Sequence, residues 1–126
     1  MKIHESAENY LEMILILTKR NGSVRSVEVA QGLGFSKPSV SVAMKNLRGS
    51  GHIRFADDGS IELTALGREV AELTYSRHIL IKNFLISLGV DDRTAEEDAC
   101  RAEHILSQQS IDALQNFISQ RGAKND

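Results

Sequence analysis

The sequence predicts a mainly α fold: an N-terminal part of three short helices and a β-hairpin, followed by a second, all-helical part. Three observations predict it. Apolar residues recur every three to four positions, the helical period, in most segments of the chain. Between Ile53 and Leu63 that period drops to two, around the turn Asp57-Asp58-Gly59. The apolar content, 41% of residues, is almost all aliphatic, with 5% aromatics and no Trp. That supply of Leu, Ile, Val and Ala suits helix packing.

Each element follows in order. Ser6 can cap the first helix, which carries Tyr10, Leu11, Ile14, Leu15 and Leu17 at near-helical spacing and stops at Asn21-Gly22. Ser26 opens a short second helix with Val29, Ala30 and Leu33 inward, closed by Gly34. Ser36 caps the third. The only proline, Pro38, falls in its first turn, where a missing N–H does no harm. Val40, Met44 and Leu47 give it a buried stripe before Gly49-Ser50-Gly51. The hairpin alternates Ile53 and Phe55, then Ile61 and Leu63. Thr64 caps a long fourth helix bearing Leu66, Val70, Leu73, Ile79, Leu80, Phe84 and Leu88, ended by Gly89. Asp91 or Asp92 starts a fifth helix expected to reach about Ser107, and Ser110 caps a sixth with Ile111, Leu114, Phe117 and Ile118 on one side. The expected division is 1–72, a winged-helix domain; 73–121, a helical domain; and 122–126, a disordered tail.

The 126 residues suffice for one ordinary domain or two small ones sharing a core. No run approaches the roughly 20 apolar residues of a membrane span, and MKIHESAENY lacks the basic-then-apolar layout of a secretory leader. A lone cysteine, Cys100, cannot form an internal disulfide. Together these give the expectation of a cytoplasmic protein with no membrane partner.

The net charge of −2 looks poor for a nucleic-acid binder, but the charge is unevenly placed. From Lys19 to Arg54 there are seven cations against one anion, Glu28, a local +6. From His78 onward eight anions outnumber five cations. A basic stretch beside an acidic half points to separate tasks.

The basic stretch coincides with the three helices and hairpin, the order of a winged helix-turn-helix, and the turn Gly34-Phe35-Ser36 is short and glycine-containing as that motif prefers. With Val40, Met44 and Leu47 inward, the third helix presents Lys37, Pro38, Ser39, Ser41, Val42, Lys45 and Asn46 outward. Small residues permit close approach to a major groove, Ser and Asn reach base edges, and Lys meets phosphate. Ser36, Arg25 and Arg54 complete the candidate surface for double-stranded DNA.

In the acidic half, Cys100, Glu103 and His104 stand at i, i+3 and i+4, one face of a helix. Thiolate, carboxylate and imidazole are three ligand types for a first-row divalent ion. His78 on the fourth helix, and Glu12 with Asn9 one turn earlier on the first, are candidates to join them. Singly, each has a plainer reading. A lone Cys on a helix is more often a small core residue, and Glu-His is a common surface pair. Three other classes stay open at this point: a regulator sensing a small ligand or thiol oxidation at Cys100, a metalloenzyme, and a protein-docking scaffold. No nucleophile or general base stands beside an open metal position and no glycine-rich phosphate loop occurs, so an enzyme is not expected.

The run from Glu97 to His104 (EDACRAEH) closely resembles the metal-binding segment of the diphtheria toxin repressor and manganese transport regulator family. So does the run from Ser6 to Glu12 (SAENYLE) for the first helix, Phe35 to Ser41 (FSKPSVS) for the recognition helix, and Leu63 to Arg68 with Tyr75 to His78 for the link into the dimerisation region. The similarity covers nearly the whole chain in order. It implies Glu12, His78, Cys100, Glu103 and His104 as ligands. Asn9 falls where manganese-type members have Asp and iron-type members Met, so it departs from both while remaining a candidate. Cys100 matches the iron type. Lys82 and Glu96 occupy positions where iron-type members place ancillary-site ligands, and a Lys there sets a positive charge against such a site.

The resemblance implies a short two-domain, metal-dependent repressor. A divalent ion bound between the domains would promote operator binding, with Fe2+ or Mn2+ favoured and Zn2+ or Co2+ as alternatives. No organic substrate is expected. A homodimer reading an inverted-repeat operator follows from helix-turn-helix geometry, with Phe84, Leu88, Ile111, Leu114, Phe117 and Ile118 as candidates for the dimer core.

Overall fold

A computed structural model describes residues 5–124. In chain order they form α1 (Glu5–Asn21), α2 (Ser26–Leu33), α3 (Lys37–Gly49), β1 (Ile53–Phe55), β2 (Ile61–Leu63), α4 (Ala65–Ser87), α5 (Asp92–Ala102) and α6 (Gln108–Lys124). The mainly α class with one small hairpin is as expected. The chain divides into two compact units, Met1–Leu73 and Thr74–Asp126.

In the first unit the three helices close on an aliphatic core. Tyr10, Leu11, Ile14, Leu15 and Leu17 of α1, Val29 and Ala30 of α2, and Val40, Met44 and Leu47 of α3 are all buried, joined by Ile53 and Ile61 of the hairpin. Local chemistry sets the angles between helices. Gly34 takes φ +70°, a left-handed conformation cheap only for glycine, and its N–H returns to the Ala30 carbonyl. The Ser36 hydroxyl then accepts from the Ser39 N–H at 3.3 Å to open α3. At the start of α2 the Glu28 carboxylate accepts the Arg25 N–H at 3.0 Å. The hairpin is antiparallel, pairing Ile53 with Leu63, Arg54 with Glu62 and Phe55 with Ile61. The Ile61 N–H also donates to the Val24 carbonyl at 2.8 Å, which pins β2 to the segment before α2.

The second unit packs Ile81, Ala99 and Ile111 together, with Leu80, Leu85, Ala102 and Leu106 against them. Asp91 caps α5 by accepting the Thr94 N–H at 2.9 Å. No described helix is long and apolar enough to cross a membrane.

Four details differ from the sequence reading. First, α4 buries Ala71, Thr74, His78 and Ile81, spaced by three and four, whereas Leu66, Leu73 and Leu88 are 48%, 49% and 63% exposed. Small side chains on a helix let a neighbour approach closely, so the inward line is not the one with the largest residues. Second, α5 ends at Ala102, not near Ser107. The Ile105 N–H bonds back three residues to Ala102, tightening the chain out of α geometry. Third, α6 is capped by Ser107, whose hydroxyl accepts the Ser110 N–H at 3.1 Å, so the helix begins at Gln108, three residues earlier than a Ser110 cap would place it. Fourth, Ile111 belongs to the core of its own unit. Helix α6 runs to Lys124, through most of the expected tail; Asn125 and Asp126 lie outside the described residues.

Candidate metal centre and nucleic-acid interface

The second unit concentrates its buried polarity where α4 meets the end of α5. His78 sits on the inward line of α4, four residues from Thr74. Glu103 is the C-cap of α5, with helical φ and ψ, and its N–H still bonds to the Ala99 carbonyl at 3.0 Å. That last helical bond turns Glu103 inward, and it is 1% exposed. His104 follows in the turn with a side chain only 1% exposed. Arg77 braces this turn, donating to the Glu103 carbonyl at 3.4 Å and to Gln108 Oε1 at 2.6 Å. It supplies a cation where helix carbonyls are left open.

The side-chain atoms converge. His78 Nδ1 lies 3.0 Å from Glu103 Oε2, and His104 Nε2 lies 3.1 Å from Glu103 Oε1. Despite those distances neither Glu103 oxygen, nor His78 Nδ1, has a hydrogen-bond partner. The donors are near each other without being aimed at each other. A buried carboxylate lacking hydrogen bonds is costly, and a divalent cation accepting both imidazole nitrogen and carboxylate oxygen removes that cost. The residues present therefore fit a metal ion, by the chemistry of the donor set and by its orphaned atoms.

A second ring of charge surrounds His78. Its Nε2 is 3.0 Å from Glu96 Oε2, and the same oxygen is 3.0 Å from Lys82 Nζ. The Glu103 carboxylate, opposed by burial and helped by Glu96, holds the His78 imidazolium up to about 9. Burial pushes the Glu96 carboxyl up, but Lys82 and His78 outweigh it and hold it below the ordinary carboxylate value. Glu96 in turn raises Lys82.

Of the ligands read from sequence, the structure brings His78, Glu103 and His104 together. Cys100 is exposed on α5. In the first unit Glu12 is buried and Asn9 half-buried on α1. The parts played by Arg77 and by Glu96 beside His78 were missed. Spacing carried a signal for Glu96 alone: His78 and Lys82 are i and i+4 on α4, and Glu96 and Glu103 are two turns apart along α5, whereas the contacts of Arg77 reach 26 and 31 positions along the chain.

In the first unit, Arg25, Ser36, Lys37, Pro38, Ser39, Ser41, Val42, Lys45, Asn46 and Arg54 are all exposed. Val42 is 59% exposed and lies on the side of α3 opposite its buried stripe of Val40, Met44 and Leu47. Arg54 pairs across the hairpin with Glu62 at 2.9 Å, a surface contact of little energy. Arg48, absent from the sequence-based set, lies 5.5 Å from the Phe55 ring centroid in the last turn of α3.

Comparison with known proteins matches both units. Residues 2–60 fit the family model described as "Iron dependent repressor, N-terminal DNA binding domain", and residues 64–122 the model described as "Iron dependent repressor, metal binding and dimerisation domain". The chain is 36% identical over 120 residues to the transcriptional regulator MntR of Escherichia coli O6:H1, covering 95% of this chain and 77% of that one. It is 34% identical over 116 residues to an HTH-type transcriptional regulator of Methanocaldococcus jannaschii, covering 90% and 93% respectively. Among solved structures, the manganese regulator SloR superposes with a TM-score of 0.80 at 27% identity, over 94% of this chain and 55% of SloR.

Proposed function

Because the chain belongs to the iron-dependent repressor family, we propose that it represses transcription from an inverted-repeat operator when Fe2+ or Mn2+ is bound. It is a metal-dependent transcriptional regulator whose first unit binds DNA and whose second binds metal and dimerises. The observation that carries the metal reading is the Glu103 carboxylate, 1% exposed, set between two imidazoles without a hydrogen bond to either oxygen.

When bound, the ion would satisfy the two Glu103 oxygens that no hydrogen bond satisfies, taking the place of the His78 proton beside them. His78, Glu103 and His104 would hold it from the second unit. Glu12, Cys100 and Asn9 join them on sequence resemblance, Cys100 adding a softer donor and Asn9 a neutral one. If metal favours the DNA-binding form, DNA and metal strengthen each other's binding by the same factor.

On α3, Ser39, Ser41, Val42 and Asn46 would read base edges while Lys37 and Lys45 meet phosphates. Ser36 and Pro38 set the helix start close to the backbone, and Arg25 and Arg54 flank it. In a homodimer the two reading heads address half-sites about 34 Å apart or a multiple of that. Leu88 and Phe117, 63% and 46% exposed, are proposed parts of the dimer face. We place the protein in the cytoplasm and assign it no catalytic step.

The test is a titration of the full chain against the DNA upstream of its own gene with Mn2+, Fe2+, Zn2+ and EDTA in parallel. Tight binding only with a metal, weakening steeply with salt, is the expected result. Binding indifferent to EDTA but abolished by oxidant would transfer the switch to Cys100.

A further inference from the structure

We propose that Glu96, tethered by Lys82, is a positioning residue that fixes the His78 ring so that Nδ1 is the nitrogen presented to the metal. The inference rests on the metal-dependent reading above and adds to it an atom and an orienting pair.

A neutral imidazole has one N–H and one lone pair, and a hydrogen bond from the first decides which nitrogen keeps the second. On His78 the two nitrogens face different surroundings. Nε2 stands 3.0 Å from Glu96 Oε2, on a side chain half-exposed to water. Nδ1 stands 3.0 Å from Glu103 Oε2, on a fully buried side chain, and has no hydrogen-bond partner there. The N–H therefore belongs on Nε2, donating to Glu96. The lone pair belongs on Nδ1, pointing into the space the Glu103 oxygens also face.

Left alone, an exposed carboxylate would swing through several rotamers. Lys82 limits this. Its Nζ lies 3.0 Å from the same Glu96 oxygen, and it is one helical turn beyond His78 on α4. The ring and the ammonium thus approach Glu96 from a single rigid element. The ammonium also answers the Glu96 charge, leaving that carboxylate as an outer support. Carboxylates in this outer position commonly strengthen metal affinity 10–100-fold through orientation and ligand basicity.

The experiment loads the full chain with Zn2+, which is diamagnetic, and records the ring nitrogens of 15N-labelled histidine alongside a calorimetric Zn2+ titration. His78 is expected to show a metal-bound Nδ1 and a protonated Nε2. Glu96→Ala should weaken Zn2+ binding about 10–100-fold with the number of ions per chain unchanged. Glu96→Gln, which keeps an acceptor oxygen, should recover most of that loss, and Lys82→Met should weaken binding by a smaller factor. Circular dichroism of each variant checks that the helices persist. Metal on Nε2, unchanged affinity in Glu96→Ala, or loss of one of two ions in that variant overturns the assignment while leaving the metal-dependent reading intact. Failure of the wild-type chain to take up any divalent ion sinks both.

Discussion

Glu103 Oε2 and His78 Nδ1 lie 3.0 Å apart in the second unit as a buried ion pair whose geometry is too poor for a well-formed hydrogen bond. The pair is close enough to share a third atom and wrongly aimed to satisfy itself. Replacing Glu103 by Gln keeps the shape and removes the charge that a cation needs. A ligand at 100 times its Kd stabilises a fold by about 2.7 kcal/mol. Thermal unfolding of EDTA-treated wild type should therefore shift upward on adding Mn2+, and the shift should vanish in Glu103→Gln. Equal shifts in the two proteins would remove Glu103 from the ligand set.

The same pair gives the metal-free protein a pH dependence. The His78 imidazolium is held up to about 9 in the fold, mainly by Glu103, against 6.5 ordinarily. A folded value above the unfolded one stabilises at low pH. The contribution is whole below about 6.5 and is lost as pH climbs through about 9. Denaturant midpoints of chelator-treated protein should fall across that window, and His78→Gln should flatten the fall. An incoming ion must displace the same proton, so apparent metal affinity should rise with pH over the same range.

How much of this was legible in the sequence depended on whether local chemistry or packing made the decision. The α3 surface was legible because Ser36, Pro38 and the stripe Val40, Met44 and Leu47 determine start and orientation from within a single helix. The proposed metal residues stand out by type and spacing. Their support does not: the contact of His78 with Glu96 joins side chains 18 positions apart on different helices. The inward line of α4 was not legible for a related reason. Periodicity marks apolar residues, and Leu66 and Leu73 satisfy it, but Ala71 and Thr74 are the ones small enough for close approach. At Ser107 and Ser110 two hydroxyls compete for one cap, and only the backbone decides between them.

The exposed face of α3 separates affinity from specificity. Lys45, proposed above to meet phosphate, would then carry no base information. Lys45→Ala should weaken binding to operator and random DNA alike and reduce the salt slope by about one. Asn46 can hydrogen-bond a base edge. Asn46→Ala should cost about 1–3 kcal/mol on operator and relax the preference at one symmetric base position. Fluorescence anisotropy against single-base operator variants over a salt series resolves the two. A uniform loss for both variants would leave Asn46 among the phosphate contacts.

Gly67 offers a stability test independent of metal and DNA. It is buried in the first turn of α4, and a Cβ built there lands on the His52 carbonyl oxygen, which is backbone and cannot rotate away. That carbonyl already accepts the Thr64 N–H at 3.1 Å, while the Thr64 hydroxyl donates to the Gly51 carbonyl at 2.6 Å and receives the Gly67 N–H at 3.2 Å. The start of α4 is thus bonded to the approach to β1 through Thr64, three residues before the glycine. Gly67→Ala must pry the two apart, at a cost of about 1–3 kcal/mol. Gly49 is the control, for it is also helical and a Cβ there meets nothing within 4 Å. Gly49→Ala should be neutral or stabilise by up to about 1 kcal/mol, the usual gain of Ala over Gly in a helix. Urea midpoints of the two variants should move in opposite directions or, for Gly49→Ala, not at all. A Gly67→Ala protein as stable as wild type would mean that α4 does not run this close to His52.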